Sequence, residues 1–269
     1  MESSERIPVS ATIVTYLYYD KTREALESIF SNTKGVDLTM YIVDNASGDR
    51  TLERLKEEFP QIITIQNPKN GGFGYGHNKV LPYLTSKYHA FVNPDILFDH
   101  DVLTDLVAYM EENPDIGQIT PEIRFPDGEI QMLGKRTPVY GALVGRHIFE
   151  KQLKPVVDQY LMLDKDLTKP IDIQNVTGCF SVIRTDLFRQ LKGYDERFFL
   201  YFEDFDISRR VQKTHRAVYY PLTYVFHAWE RGYNHSLKYL LIVVWSSFLY
   251  FAKWGFHWDY KYLAKEGKL

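Results

Sequence analysis

A chain of 269 residues, 45% of them hydrophobic, is long and apolar enough to bury a sizeable core, which excludes a disordered or fibrous protein. A formal charge of -3 gives no general attraction to polyanions, so no nucleic acid is expected as a partner. The single cysteine, Cys179, excludes an intrachain disulfide and a thiolate zinc cluster and points to a reducing compartment. Residues 1–10 are polar, with Glu2, Glu5 and Arg6, and lack the apolar run of a secretory signal, so cytosolic residence is the expectation.

In chain order, the β-branched and aromatic run 9–16 predicts a strand, and Ala25, Leu26, Ile29 and Phe30 recur at helical spacing after Asp20. The unit repeats with a strand over 38–43, a polar turn over 44–49, and Leu52, Leu55 and Phe59 at helical offsets. Further strands are predicted over 62–65, 89–93 and 116–120, with a helix carrying Val102, Leu103, Leu106, Val107 and Met110 on one face. This alternation argues an α/β fold with a mostly parallel central sheet flanked by helices, whose ligands bind beyond the carboxyl ends of the strands. In the second half, Pro126-Asp127-Gly128 marks a turn inside a hairpin over 121–131, and 134–169 shows no clean period. A single strand is predicted over 171–184, then a turn-rich aromatic stretch and a helix over 204–212. No linker separates two independent domains, so the halves are expected to share one core.

Five constellations could carry chemistry. Val43-Asp44-Asn45-Ala46-Ser47-Gly48-Asp49 stands where a parallel strand ends; Asp44 could accept from a base imide N–H, and the same residues serve equally as a helix-capping turn. Asn70-Gly71-Gly72-Phe73-Gly74-Tyr75-Gly76-His77-Asn78 has more glycines than one turn requires, which would let backbone amides approach a phosphate or sugar. It is not a dinucleotide fingerprint, because the first strand-to-helix turn, 16–20, has no glycine. Asn93-Pro94-Asp95 suits a hard cation completed by substrate phosphates, or a simple Asx-Pro turn. Glu203, Asp204 and Asp206 crowd three acids at a helix start; acids favour that position, but their mutual repulsion also raises the pKa of a general base. His227, after an apolar run, is by itself more simply a core histidine.

Taken together and in this order, VDNASGD, NGGFGYGHN, NPD, GCF-SVIR, KGYDERFFLYFEDFDISRR and a following P-x5-H resemble family 2 glycosyltransferases of the GT-A fold, and among them the bacterial rhamnosyltransferase-like branch. The resemblance spans roughly residues 9–231. It implies that Thr15 and Asp44 contact the nucleobase, with Asn45 in the same donor-site turn, that Gly71, Gly72 and Asn78 are donor-site groups, and that Asn93 sits by the ribose. It further implies that Asp95 and His227 hold Mg2+ or Mn2+, that Gly178 lines the groove near the diphosphate, and that Asp204, paired with Glu203, is the general base. The family's metal motif is Asp-x-Asp; here the first position is the neutral Asn93, as is usual in the rhamnosyltransferase-like branch. The implied activity is inverting transfer of a sugar from a nucleotide-sugar donor, with dTDP-β-L-rhamnose favoured over UDP-hexoses, to a lipid-linked bacterial surface glycan. A non-catalytic glycan-binding scaffold is the alternative, against which Asp44, Asp95, Asp204 and His227 count.

The expected organisation is a transferase domain over 7–235, with a nucleotide-sugar half over 7–120 and an acceptor half over 121–235, followed by a helical segment over 236–269. Residues 239–252 are uncharged, rich in aliphatic and aromatic side chains, bracketed by Lys238 and Lys253, and shorter than a membrane span of about 20 residues. They suit a helix lying in the interface at the inner face of the cell membrane, a peripheral attachment reinforced by Trp254, Trp258 and Tyr260, or alternatively a core helix or a homodimer contact.

Overall fold

The predicted strands and helices of the first half form: β1 (Ile7–Thr15), α1 (Tyr19–Asn32), β2 (Val36–Asp44), α2 (Thr51–Glu58), β3 (Ile63–Gln66) and β4 (Tyr88–Val92); before β4 the glycine-rich run itself forms a short helix, α3 (Phe73–Asn78), that its composition does not predict. The computed structural model describes residues 6–145, 149–228 and 237–261; the expected domain boundary at 235/236 and the end of the motif region at Arg231 lie outside them. β1 is buried on both faces, as a central parallel strand must be. Val9, Ala11 and Ile13 pack toward α1, where Ala25, Leu26 and Ile29 are inaccessible to water. Each Leu or Ile so buried is worth about 1.5–3 kcal/mol. On the other face Ser10 and Thr12 hydrogen bond to the two ring nitrogens of His89, at 2.7 and 3.2 Å, and burial lowers that histidine's pKa to about 3.

After β4 come a two-residue strand β5 (Ile96–Leu97), α4 (Val102–Glu112) and β6 (Ile116–Arg124). The side chain of Asp101 caps α4 by accepting from Thr104 N–H, and the predicted apolar face of α4 is buried. The Pro126-Asp127-Gly128 turn closes a short hairpin in which Arg124 bridges Ile130.

Residues 134–169, without a visible period, contain two helices, α5 (Tyr140–Gly145) and α6 (Glu150–Leu161). Pro155 lies inside α6 and masks its helical signal. The predicted strand over 171–184 is two strands, β7 (Ile171–Asp172) and β8 (Phe180–Arg184). Between them the chain leaves the sheet, because the N–H groups of Gln174 and Asn175 both donate to the Lys135 carbonyl and that of Val176 donates to Ser208 Oγ. α7 (Thr185–Gln190), α8 (Glu203–Val211), β9 (Arg216–His227) and α9 (Leu237–Trp254) complete the order.

The strands form one mixed sheet, β3-β2-β1-β4-β8-β6-β9-β5, with β7 also on β9. Pairing is parallel among β3, β2, β1 and β4 and between β6 and β9, whereas β8 runs antiparallel to both of its neighbours. α1, α2 and α4 cover one face; α3, α7 and α8 cover the other around Val43, Phe91 and Ile183. The antiparallel β8 decides the site, since it brings its own first residues to the edge where β1, β2, β4 and β9 end.

Candidate active site

Register alone places the nucleotide-half candidates side by side: Thr15 pairs with Asp44 at the last step of the β1–β2 ladder. Asp44 is buried and accepts from Ser47 N–H and Gln66 Nε2, at 2.9 and 2.7 Å, and from Ser47 Oγ. These bonds make a local turn that holds the carboxylate in one orientation; it does not cap α2, whose N-cap is Arg50 with no side-chain cap bond. Asn45 donates to the Gly72 carbonyl (2.9 Å) and accepts from Asn67 Nδ2 (2.7 Å), so it fastens the end of β2 to the glycine loop. Gly72 has φ +91°, and a Cβ there would lie 1.9 Å from the Phe199 carbonyl oxygen, to which Phe73 N–H donates at 2.9 Å. A Cβ at Gly71 would meet the Tyr75 ring at 2.3 Å. Asn78 closes the loop from the other side: its amide donates to the Tyr194 carbonyl and Glu196 Oε1 and accepts from Tyr194 N–H. Asn45 and Asn78 thus hold the glycine loop against neighbouring backbone.

At the end of β4 the chain turns tightly through Asn93-Pro94-Asp95, with Ile96 N–H donating to the Asn93 carbonyl, while Asn93 N–H donates to Cys179 O at 2.8 Å. Ile96 pairs with His227 across β5 and β9, and this brings His227 Nε2 to 3.4 Å from Asp95 Oδ1. Gln131 grips His227 twice, donating to its carbonyl (2.7 Å) and facing its Nδ1 (3.1 Å). Burial opposes a charge on His227, but the Cys179 sulfur and the Asp95 carboxylate beside it outweigh burial and raise its pKa to about 10. Asp95, despite its burial, is held below the usual carboxylate range by the hydrogen bond and charge of His227. Among the described residues no three His, Cys, Asp or Glu side chains surround a common point. Once the imidazole gives up its proton, a carboxylate and an imidazole this close can seat a divalent cation whose other positions belong to water and phosphate oxygens; Mg2+ itself is ordinarily held by carboxylates and phosphates rather than by imidazole.

Asp204 stands one step away. Its Oδ2 accepts from Gly178 N–H (3.2 Å) and its Oδ1 from Phe205 N–H (2.8 Å), and a Cβ on Gly178 would rest against Asp204 Cβ at 3.4 Å. Burial raises the Asp204 pKa to about 6, against the opposing pull of those two amides. Glu203 is buried, its Oε2 has no hydrogen-bond partner among the described residues, and burial together with the charge of Asp204 drives its pKa well above the usual carboxylate range. Gly178 and Cys179 therefore link the Asp204 carboxylate to Asn93 and to the Asp95–His227 pair, and the aromatic segment before Glu203 links it to the glycine loop. The candidate donor, metal and base residues gather at one sheet edge.

The sequence profile described as Glycosyl transferase family 2 matches residues 10–192, more than half of the chain. The chain belongs to glycosyl transferase family 2. The matched stretch contains Thr15, Asp44, the glycine loop, Asn93, Asp95 and Gly178, and ends before Asp204 and His227. Among characterised relatives, this family 2 chain is 24% identical over 206 residues to the N-acetylglucosaminyl-diphospho-decaprenol L-rhamnosyltransferase of Mycobacterium tuberculosis, covering 71% of this chain and 66% of that one. It is 21% identical over 275 aligned positions to the rhamnosyltransferase WbbL of Escherichia coli K12, covering 94% and 92%. Its fold matches that of the mannosyltransferase PcManGT from Pyrobaculum calidifontis, solved in complex with GDP-Man and Mn2+, with a TM-score of 0.63 at 17% identity. That match covers 93% of this chain and 64% of the solved one, so the chain spans about two thirds of the length of the mycobacterial and archaeal proteins. The rhamnosyltransferase-like branch read from the motifs agrees with these relatives, and the mixed α/β fold is of the GT-A type.

Two residues near the family 2 site carry no motif signal, Gln131 and Lys135, and nothing in the GCF motif marks its Cys179 as a neighbour of His227. Lys135 is buried with its ammonium 4.3 Å from the Tyr219 ring, and burial lowers its pKa to about 8 against the pull of Glu122. It shares with Gln131, Asn175 and Thr177 a cavity of about 20 Å³, room for one water. A lysine inside a segment without periodicity offers nothing to find it by.

Proposed function

We propose that this chain transfers a sugar from a nucleoside diphosphate to an acceptor hydroxyl with inversion at the anomeric carbon. The observation that carries the reading is the Asp204 carboxylate, oriented by two backbone amides and poised near pH 6, next to the Asp95–His227 pair at the edge where the strands end. Asp204 takes the proton from the acceptor hydroxyl as that oxygen bonds to the anomeric carbon and the bond from that carbon to the diphosphate oxygen breaks. The bonding electrons leave with the nucleoside diphosphate, and no covalent glycosyl-enzyme forms. A divalent cation held by Asp95 and His227 would supply positive charge against the departing diphosphate. In this reading Thr15 and Asp44 recognise the base, Asn45, Gly71, Gly72 and Asn78 fix the donor loop, and Asn93 lies beside the ribose. This divides the work between a donor half over 7–120 and an acceptor half over 121–235.

The donor we favour is dTDP-β-L-rhamnose, because two of the relatives carry rhamnosyltransferase names, and the acceptor a lipid-linked glycan, because one of those names specifies a diphospho-decaprenol. An enzyme meeting such an acceptor at the cytoplasmic face of a membrane would gain from lying on that surface, and α9 exposes an apolar face there. A panel of dTDP-rhamnose, UDP-glucose, UDP-galactose and UDP-GlcNAc with Mg2+ or Mn2+, read by thermal shift and by donor hydrolysis, tests the reading. A response to dTDP-rhamnose alone is the expected result. A response to a UDP-sugar replaces the donor and keeps the reaction class, and binding of nucleoside diphosphate without turnover of any sugar overturns catalysis in favour of a scaffold.

A further inference from the structure

α9 turns an apolar face outward. Leu237, Leu240, Leu241, Val244, Trp245 and Phe248 follow one another around one face, and each is 55–72% exposed. The opposite face packs Val243, Tyr250, Phe251 and Trp254 against Phe198 and Phe202 and adds polar anchors to that apolar contact. Ser246 Oγ donates to the Leu200 carbonyl (2.9 Å), and Trp254 Nε1 donates to Asp206 Oδ1 (2.8 Å). Lys253 Nζ bridges Asp206 and Asp195 at 2.6 and 2.8 Å. Asp206 is wholly buried and also pairs with Arg210, whose guanidinium donates to the Leu191 and Gly193 carbonyls. Tyr250 fills the remaining space against Phe202 and Phe205.

The gripped groups are the ones that deliver the base. Leu200 is followed by Tyr201 and Phe202, both at φ +69°, a left-handed conformation that non-glycine residues hold only when their surroundings impose it. Glu203 and Asp204 come next. Asp206 lies on the same helix, one turn from Glu203, and Asp195 lies in the segment that Asn78 ties to the glycine loop. One helix therefore shows lipid-like surface on one side and holds the base-bearing segment on the other.

We propose that the outer face of α9 docks on an anionic bilayer and that docking orders the 198–202 segment and α8, so that the base is set when the enzyme lies on the membrane. A lipid surface fits this face better than a second copy of the chain. α9 contains no acidic residue and the exposed Lys238 at its start suits anionic headgroups, whereas a parallel twofold pairing of α9 would set Lys238 against its own copy; beyond the other end Lys261 is ion-paired with Asp259. Exposed Phe256 and Trp258 continue the aromatic surface past the helix end. A spanning arrangement would require breaking the Ser246, Lys253 and Trp254 bonds to the domain, and 18 residues reach only about 27 Å, so the helix lies flat. The consequence for catalysis rests on the reading of Asp204 as base; the docking and the coupling do not.

Hydrogen exchange of the full chain with phosphatidylethanolamine vesicles, with and without phosphatidylglycerol, tests the proposal. The expected result is that anionic vesicles slow exchange over 237–254 and also over 198–211, by about tenfold or more. Lys253→Met is expected to keep the first effect and lose the second, and Lys253→Arg to restore it. Protection confined to 237–254 in the native chain would make α9 an anchor without coupling and overturn the proposal. So would failure to bind vesicles, or protection that appears on dimerisation without lipid. None of these outcomes touches the glycosyl-transfer reading, which stands or falls on nucleotide-sugar binding.

Discussion

Asp204 carries opposing demands on one carboxylate. Its burial puts the folded-state pKa near 6, above the ordinary 3.8, so the native state binds more protons than the unfolded chain between those values. The group therefore costs stability as pH rises through roughly 4 to 6, and the cost persists at neutral pH. A shift of this size corresponds to about 3 kcal/mol at most. Asp204→Asn removes the charge and keeps the shape. We expect it to raise the melting temperature at pH 7, leave nucleoside-diphosphate binding unchanged in calorimetry, and lower kcat by about a thousandfold. The native enzyme should lose kcat/KM below an apparent pKa of about 6 as the base is protonated. An acid limb that falls well below pH 5 would assign the proton transfer to another group.

The glycine loop and the segment before α8 act as one element, although more than a hundred residues separate them. Phe73 N–H meets the Phe199 carbonyl, Asn78 clasps Tyr194 and Glu196, and Asn45 holds the Gly72 carbonyl from the other side. Gly72 is the position where this contact tolerates no side chain, being at φ +91° with the Phe199 carbonyl where a Cβ would stand. Gly72→Ala is expected to cost about 2–4 kcal/mol in denaturant unfolding and to weaken donor binding, because the loop must move off the 199 segment. A neutral outcome would mean that the two segments are not in close backbone contact. From the sequence the run of glycines is legible as a site of close approach; what it approaches is not.

At the scale of the molecule, α9 closes the fold as well as presenting a surface. Phe198, Phe202 and Tyr250 form one buried cluster, and Asp206 loses two partners without Lys253 and Trp254. Truncation after residue 228 is therefore expected to lower the melting temperature and promote aggregation rather than release a soluble, active core; thermal melts with light scattering would show it. The sequence by itself determined the main strands and helices through 120, because apolar spacing records which face each element buries; the short α3 and the two-residue β5 left no period to read. It also determined the family, because the motifs stand at strand ends where backbone geometry admits few residue types. The chain's own signal failed where tertiary contacts outvoted local preference. Lys135 draws residues 174–175 out of a predicted strand, Pro155 interrupts the pattern of a helix that nevertheless forms, and β9 carries Pro221 at a register shift. Tertiary structure alone decided that antiparallel β8 sets Gly178 beside Asp204, that β5 and β9 pair Asp95 with His227, and that α9 turns its apolar face outward. Each of these depends on contacts between residues far apart in the chain, and local periodicity reports only how an element meets its surroundings, not which partner it meets.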